Sequence, residues 1–214
     1  MRTKALLLTA AVGALSVAST LAQVYSVNVV GFVNVNIVQG FNFLCNPLKA
    51  SADTVGAVIP TAPEGTTVAT WNKQTQAFNS AATFSFGSWD DPNYPLPPGE
   101  AFFLNSGEAA TLTFVGEVRQ GTLTTPLVVG FNLVGSQVAQ AGALGDGTPA
   151  NPGLGYVPDE GDTAAKWNPA GQSYFSANSF SFGSWDAMPT LGMAEGIVIT
   201  RSAAGSWTRT FNVQ

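Results

Sequence analysis

The side chains in this sequence with the means to do chemistry are carboxylates, and they occupy matched places. Asp90 follows Trp89 and Asp186 follows Trp185, while Glu100 and Glu195 each open an apolar run. Two carboxylates can hydrolyse a glycoside when one is held protonated and the other ionised. An Asp after a Trp in a turn also serves as an acceptor for backbone N–H groups, and a Glu after Gly99 suits the solvent edge of a strand. The chain has no histidine and one cysteine, Cys45. Ser-His-Asp and Cys-His catalysis lie outside its reach, as do His-ligated zinc and any zinc or iron–sulfur site made by this chain alone. Asp159, Glu160 and Asp162 form the densest acidic group and offer oxygens of the kind calcium takes. They lack the alternating spacing of an EF-hand loop, and read as an exposed acidic loop without metal. The expectation is a protein that is not an enzyme and carries no cofactor.

Trp89 and Trp185, with Asp90 and Asp186, are the ligand-binding candidates. An indole face stacks on the C–H groups of a sugar ring while a neighbouring carboxylate takes its hydroxyls. Trp is equally a core residue of small β domains, so burial of these two rings separates the readings. Phe84 and Phe86 share a face by alternation and read as core.

These residues sit in a segment that occurs twice. Phe84-Ser85-Phe86-Gly87-Ser88-Trp89-Asp90 returns unchanged 96 residues later as Phe180 to Asp186. Around it, Gly40-Phe41-Asn42 matches Gly130-Phe131-Asn132, Trp71-Asn72 matches Trp167-Asn168, and Glu100 matches Glu195, at spacings of 90, 96 and 95 residues. The chain is a tandem duplication, with repeats expected over 23–118 and 119–214.

From Val24 to Val38 apolar residues alternate with Ser and Asn, the period of a strand, with Gly31 expected to mark a bulge. A hairpin turns at Asn72–Thr75 and its counterpart at Asn168–Gly171. Ala50–Val58 reads as a short helix capped by Ser51 or Asp53. Each repeat carries about six short strands and almost no helical periodicity. The fold class is therefore all-β: two homologous β-sandwich-like or barrel-like repeats packed together. The final strand can be aligned with either Arg209 or Phe211 opposite Phe114.

At the N-terminus Arg2 and Lys4 precede an apolar run from Ala5 to Ala18, and small residues lead to Ala22, which predicts a cleaved signal peptide over 1–22 and export to the periplasm, cell surface or medium. Cleavage would remove two basic residues and no acidic ones, moving the net charge from −5 to −7. An acidic chain without a basic patch argues against nucleic acid, and against a membrane once the leader is gone, as partners. Only 10% of residues are charged. Cys45 alone forms no intramolecular disulfide and reads as a small buried hydrophobe.

The first strand suggests another kind of function. Tyr25, Val27, Val29, Val33 and Val35 line one face of a segment with no charge or proline to guard it against pairing with another chain. Pairing within the chain is the leading expectation for that strand, because the second copy has the same element joined in cis. Gly40 to Leu48, Trp71-Asn72, Pro98-Gly99-Glu100-Ala101-Phe102-Phe103 and Thr113-Phe114-Val115-Gly116-Glu117-Val118 together resemble secreted tandem-repeat β proteins of verrucomicrobial type. The resemblance implies export and a two-repeat β fold, and implies no activity. The expected function is that of an exported structural or self-associating protein polymerising through its first strand, with binding of an extracellular glycan as the alternative.

Overall fold

The computed structural model describes residues 29–213. The leader expected over 1–22, and Tyr25 and Val27 of the expected strand, lie outside them. The first repeat is built from β1 (Val30–Ile37), β2 (Gly40–Cys45), β3 (Thr67–Asn72), β4 (Ala77–Phe78), β5 (Ala82–Ser85), β6 (Ser88–Trp89), β7 (Ala101–Ser106) and β8 (Ala110–Glu117). The second has β9 (Gly121–Leu127), β10 (Gly130–Gly135), β11 (Gly142–Ala143), β12 (Thr163–Asn168), β13 (Ser173–Tyr174), β14 (Asn178–Ser181), β15 (Ser184–Trp185), β16 (Thr190–Leu191), β17 (Gly196–Arg201) and β18 (Gly205–Phe211). The one helix among the described residues, α1, is a single turn, Val55–Val58, entered through Thr54 rather than Ser51 or Asp53 and without a side-chain cap.

The two repeats share one topology. A sheet ordered β2-β7-β3-β5-β6, with β4 beside β3, has its counterpart in β10-β17-β12-β14-β15, with β13 beside β12. The first and last strands of each repeat form an antiparallel ribbon, β1 with β8 and β9 with β18. Among the described residues no sheet closes into a barrel, so the layered alternative is the one present. Gly31 pairs with Gly116 inside the β1–β8 ladder and makes no bulge.

Alternation along each strand serves two cores at once. Leu44, Phe102 and Leu104 point to the ribbon of their own repeat and pack with Val33, Ile37, Leu112 and Phe114. Their neighbours Phe43, Cys45, Ala101 and Phe103 point the other way and pack with Leu133 and Val198 of the second repeat. A sheet covered on both faces has apolar side chains at successive positions, which is why Phe43 to Cys45 in β2 and Ala101 to Leu104 in β7 read as unbroken apolar runs. In the second repeat Val134, Ile197 and Ile199 pack with Leu127 and Trp207 of its ribbon. Ribbon register settles the alignment of the last strand: Phe114 opposes Val33 as Arg209 opposes Leu123, so Arg209 stands in the place of Phe114.

Candidate functional site

The residues recurring around the heptapeptide assemble at the seam between the repeats. Gly40 and Gly130 have left-handed backbones, φ 93° and 91°, a conformation that glycine adopts without steric cost. Asn42 folds the turn behind Gly40, accepting from Val38 N at 2.9 Å and donating to Val38 O and Gly40 O. Asn132 does the same for Gly130. The turn leaves the N–H and C=O of the intervening Phe pointing at the other repeat.

There they meet the second recurring motif. Trp71 Nε1 donates to Phe131 O at 3.0 Å, and Trp167 Nε1 donates to Phe41 O at 2.9 Å. Gln76 accepts from Phe131 N and donates to Phe131 O, at 2.7 and 3.2 Å; Gln172 treats Phe41 the same way at 2.7 and 3.1 Å. Asn72 and Asn168 hold the turns that present these glutamines. A Cβ on Gly40 would stand 2.5 Å from Gln172 Oε1, and one on Gly130 the same distance from Gln76 Oε1. Glycine is thus required twice over, for its backbone and for room. The exchange is reciprocal, so the repeats relate as the halves of a two-fold dimer. Strand-like pairing crosses the seam as well, with Cys45 N donating to Ala194 O and Gly135 N to Gly99 O.

Outside the clasp lies an open aromatic surface. Two adjoining hollows of about 470 and 360 Å³ share Phe78 and Tyr174; Trp71 and Phe131 wall one, Trp167 and Phe41 the other. Trp71 meets Phe78 edge to face at 5.0 Å, Trp167 meets Tyr174 likewise at 5.0 Å, and Phe103 lies between. Phe41, Phe78, Phe131, Tyr174 and Phe175 are all exposed, and no charged side chain lines either hollow. The rings stand at 78° to 85° to their neighbours, and the indole N–H groups are spent on the clasp. Such a surface offers apolar edges and hollows rather than a flat platform on which a sugar ring could stack. Partial desolvation of the Tyr174 phenol against this surface raises its pKa.

The residues singled out from sequence lie elsewhere. Trp89 and Trp185 are 5% and 8% exposed, and their indoles donate to Ile59 O and Gly145 O. Packed edge to face on Phe84 and Phe180, they present no face to a sugar, so the alternative of a glycan site at these two rings is corrected. Asp90 and Asp186 are turn acceptors: Asp90 takes Thr83 N and Asp91 N, and Asp186 takes Ser179 N and Ala187 N. The Ala187 N–H, with that of Ser179, holds the Asp186 carboxyl below the ordinary carboxylate range. Glu100 and Glu195 pair with Lys73 and Lys166, each at 3.0 Å.

The acidic residues weighed as a calcium candidate do not converge either. Asp159 pairs with Arg201, Asp162 is fully buried and accepts from Tyr156 Oη at 2.6 Å, and Glu160 faces the Phe182 turn. Among the described residues no three such side chains gather as a metal site. In the first strand, Val33 is buried, Val29 and Val35 are half-buried, and β1 pairs along its whole length with β8 of the same chain. Burial pushes the Cys45 thiol up to about 12.

Phe86, read as core, is fully exposed, whereas Phe84 is core. The tight β5–β6 turn at Phe86-Gly87 interrupts the alternation that placed both on one face. Sequence reasoning also passed over Gln76 and Gln172, although they recur at the same 96-residue spacing as the tryptophans. Comparison with protein-family models, with curated proteins and with solved structures returns no match.

Proposed function

We propose that this chain is an exported, non-enzymatic structural protein that associates with copies of itself through the aromatic surface over the seam. The observation that carries the reading is the uncharged, aromatic-walled pair of hollows. Exposed apolar patches of this kind, continuous with an interface, mark sites of protein association. The carboxylates that could have supported hydrolysis are engaged in turns and ion pairs, which favours the non-enzymatic reading. Strand addition at β1 would have to use its outer edge, since the inner edge is taken by β8. Light scattering coupled to gel filtration over a concentration series tests the proposal. Mass rising with concentration above that of one chain is the expected result, and a single monomeric mass throughout would overturn it.

A further inference from the structure

Each repeat carries one more feature that its own fold leaves unused. The turn between β5 and β6 has two central residues, Phe86 and Gly87, both with positive φ, 53° and 76°; Phe182 and Gly183 repeat this at 52° and 75°. Such two-residue turns are best served by Asn-Gly, because a bulky side chain strains a left-handed backbone. The turn is held shut by a carboxylate. Glu64 accepts from Phe86 N at 2.9 Å and Gly87 N at 2.8 Å, and Glu160 accepts from Phe182 N and Gly183 N at 2.9 and 2.7 Å.

What the strain accomplishes within the chain differs between two sets of residues. Gln76 and Gln172 also have positive φ, and their side chains close the clasp across the seam. Phe86 and Phe182 have rings that are 100% exposed, so neither ring stabilises its own fold. Backbone strain maintained in both repeats without an intramolecular use points to a function outside the chain.

We propose that Phe86 and Phe182 are docking knobs, and that their receptor is the pair of seam hollows on a second copy of this chain. The proposal rests on the self-association read above and names its contacts. Each copy carries two knobs and two hollows, the hollows lack charge, and they continue the aromatic interface that already joins the repeats. With two knobs and two hollows on each copy, one knob–hollow contact leaves a further knob and hollow free, so that assembly can continue beyond a dimer.

The test uses sedimentation velocity on the full chain and two double variants. Phe86→Asn with Phe182→Asn removes both rings and puts at each turn the residue it tolerates best; Phe78→Lys with Tyr174→Lys charges the rim shared by the hollows. Circular dichroism confirms that both variants fold. The unchanged chain is expected to form species beyond a dimer, and each double variant alone to remain monomeric. Each single Phe→Asn change should weaken association about tenfold to a hundredfold, the worth of burying one such ring. Mixing the two double variants should restore complexes, since one retains knobs and the other retains hollows.

Assembly of the Phe→Asn double variant equal to that of the unchanged chain would overturn the knobs and leave self-association standing. Monomeric variants that fail to complement each other would overturn the seam as receptor. A monomeric unchanged chain would overturn both this inference and the function it rests on.

Discussion

Where the two repeats touch on their pseudo-two-fold axis, a position meets its own counterpart. Cys45 faces Gly135 and Ala101 faces Gly196, and in each pair the larger residue belongs to the first repeat. A Cβ on Gly135 would lie 2.4 Å from Cys45 Cβ, and one on Gly196 would lie 2.8 Å from Ala101 Cβ. The same inequality extends outward, where Phe43 and Phe103 occupy the places that Leu133 and Val198 hold in the second repeat. A symmetric dimer of identical repeats would set Cys45 against Cys45. Duplication within one chain lets one side shrink while the other stays large, so the seam is fitted for unlike repeats while the clasp around it stays symmetric.

Away from the seam the repeats differ in how their interiors are filled. The second repeat buries Asp162, wholly inaccessible, against Tyr156 and the Arg201 guanidinium, while Asp159 pairs with Arg201 from a more exposed position. At the places of Asp162 and Arg201 the first repeat has Thr66 and Ser106. Giving the second repeat the residue of the first, Asp162→Thr, removes the acceptor of the Tyr156 hydroxyl and of Asp159 N and leaves Arg201 with Asp159 and the Ala203 carbonyl alone, and is expected to cost about 3 kcal/mol in denaturant unfolding. The reverse exchange, Thr66→Asp, buries a carboxylate with no arginine to meet it and should cost at least as much. Near-neutral values for either would mean that the two interiors are interchangeable.

Gly135→Ala tests the seam. Overpacking against Cys45 should cost about 2–3 kcal/mol, and Cys45→Gly in the same chain should recover much of it, a coupling that additive, independent sites would not show. The thiol adds a pH signature. Its pKa is raised from 9.0 to about 12 in the folded chain, so the stability from keeping it neutral is complete below pH 9 and is lost as pH rises towards 12. Cys45→Ala should remove that part of the alkaline decline, and urea midpoints measured across the window would register it.

Trp71→Phe and Trp167→Phe probe what the repeats share. Each removes one indole donor to the opposite Phe carbonyl, while Gln76 or Gln172 still bonds the same oxygen, so each should cost about 1 kcal/mol. The two costs should agree to within a few tenths. A marked difference would show that the clasp is not energetically symmetric.

Much of this was legible beforehand. The duplication, the all-β class and the hairpins follow from exact repetition and two-residue periodicity, signals that survive without knowledge of packing. The seam was not legible, because Gly40, Phe41, Trp71 and Gln76 are brought together with residues 55 to 132 positions away, and nothing local says that a glycine makes room for a distant glutamine. Trp89 and Asp90 read as a binding pair because their residue types suit sugars. Only tertiary packing reveals that the indole is interior and the carboxylate a turn acceptor. Phe86 departs from expectation for a different reason: strand alternation ends at Ser85, and the chain turns at Phe86-Gly87.

The smallest expected effect concerns that turn, and its sign is what matters. Removing the strained Phe from each left-handed position, as Phe86→Asn and Phe182→Asn separately, should raise stability by about 0.5–1 kcal/mol, because asparagine tolerates that backbone more readily and no packed contact is lost. The Glu64 and Glu160 clamps act on backbone N–H groups and should persist in both variants. Since the turns have the same sequence, φ values and clamp, the two gains should match even though the interiors behind them differ. Thermal unfolding of the two variants at a concentration where the chain is monomeric would measure this. Equal gains would show that each repeat independently carries a strained, exposed ring that its own stability does not require. A loss in either repeat would mean that its ring supports the fold after all.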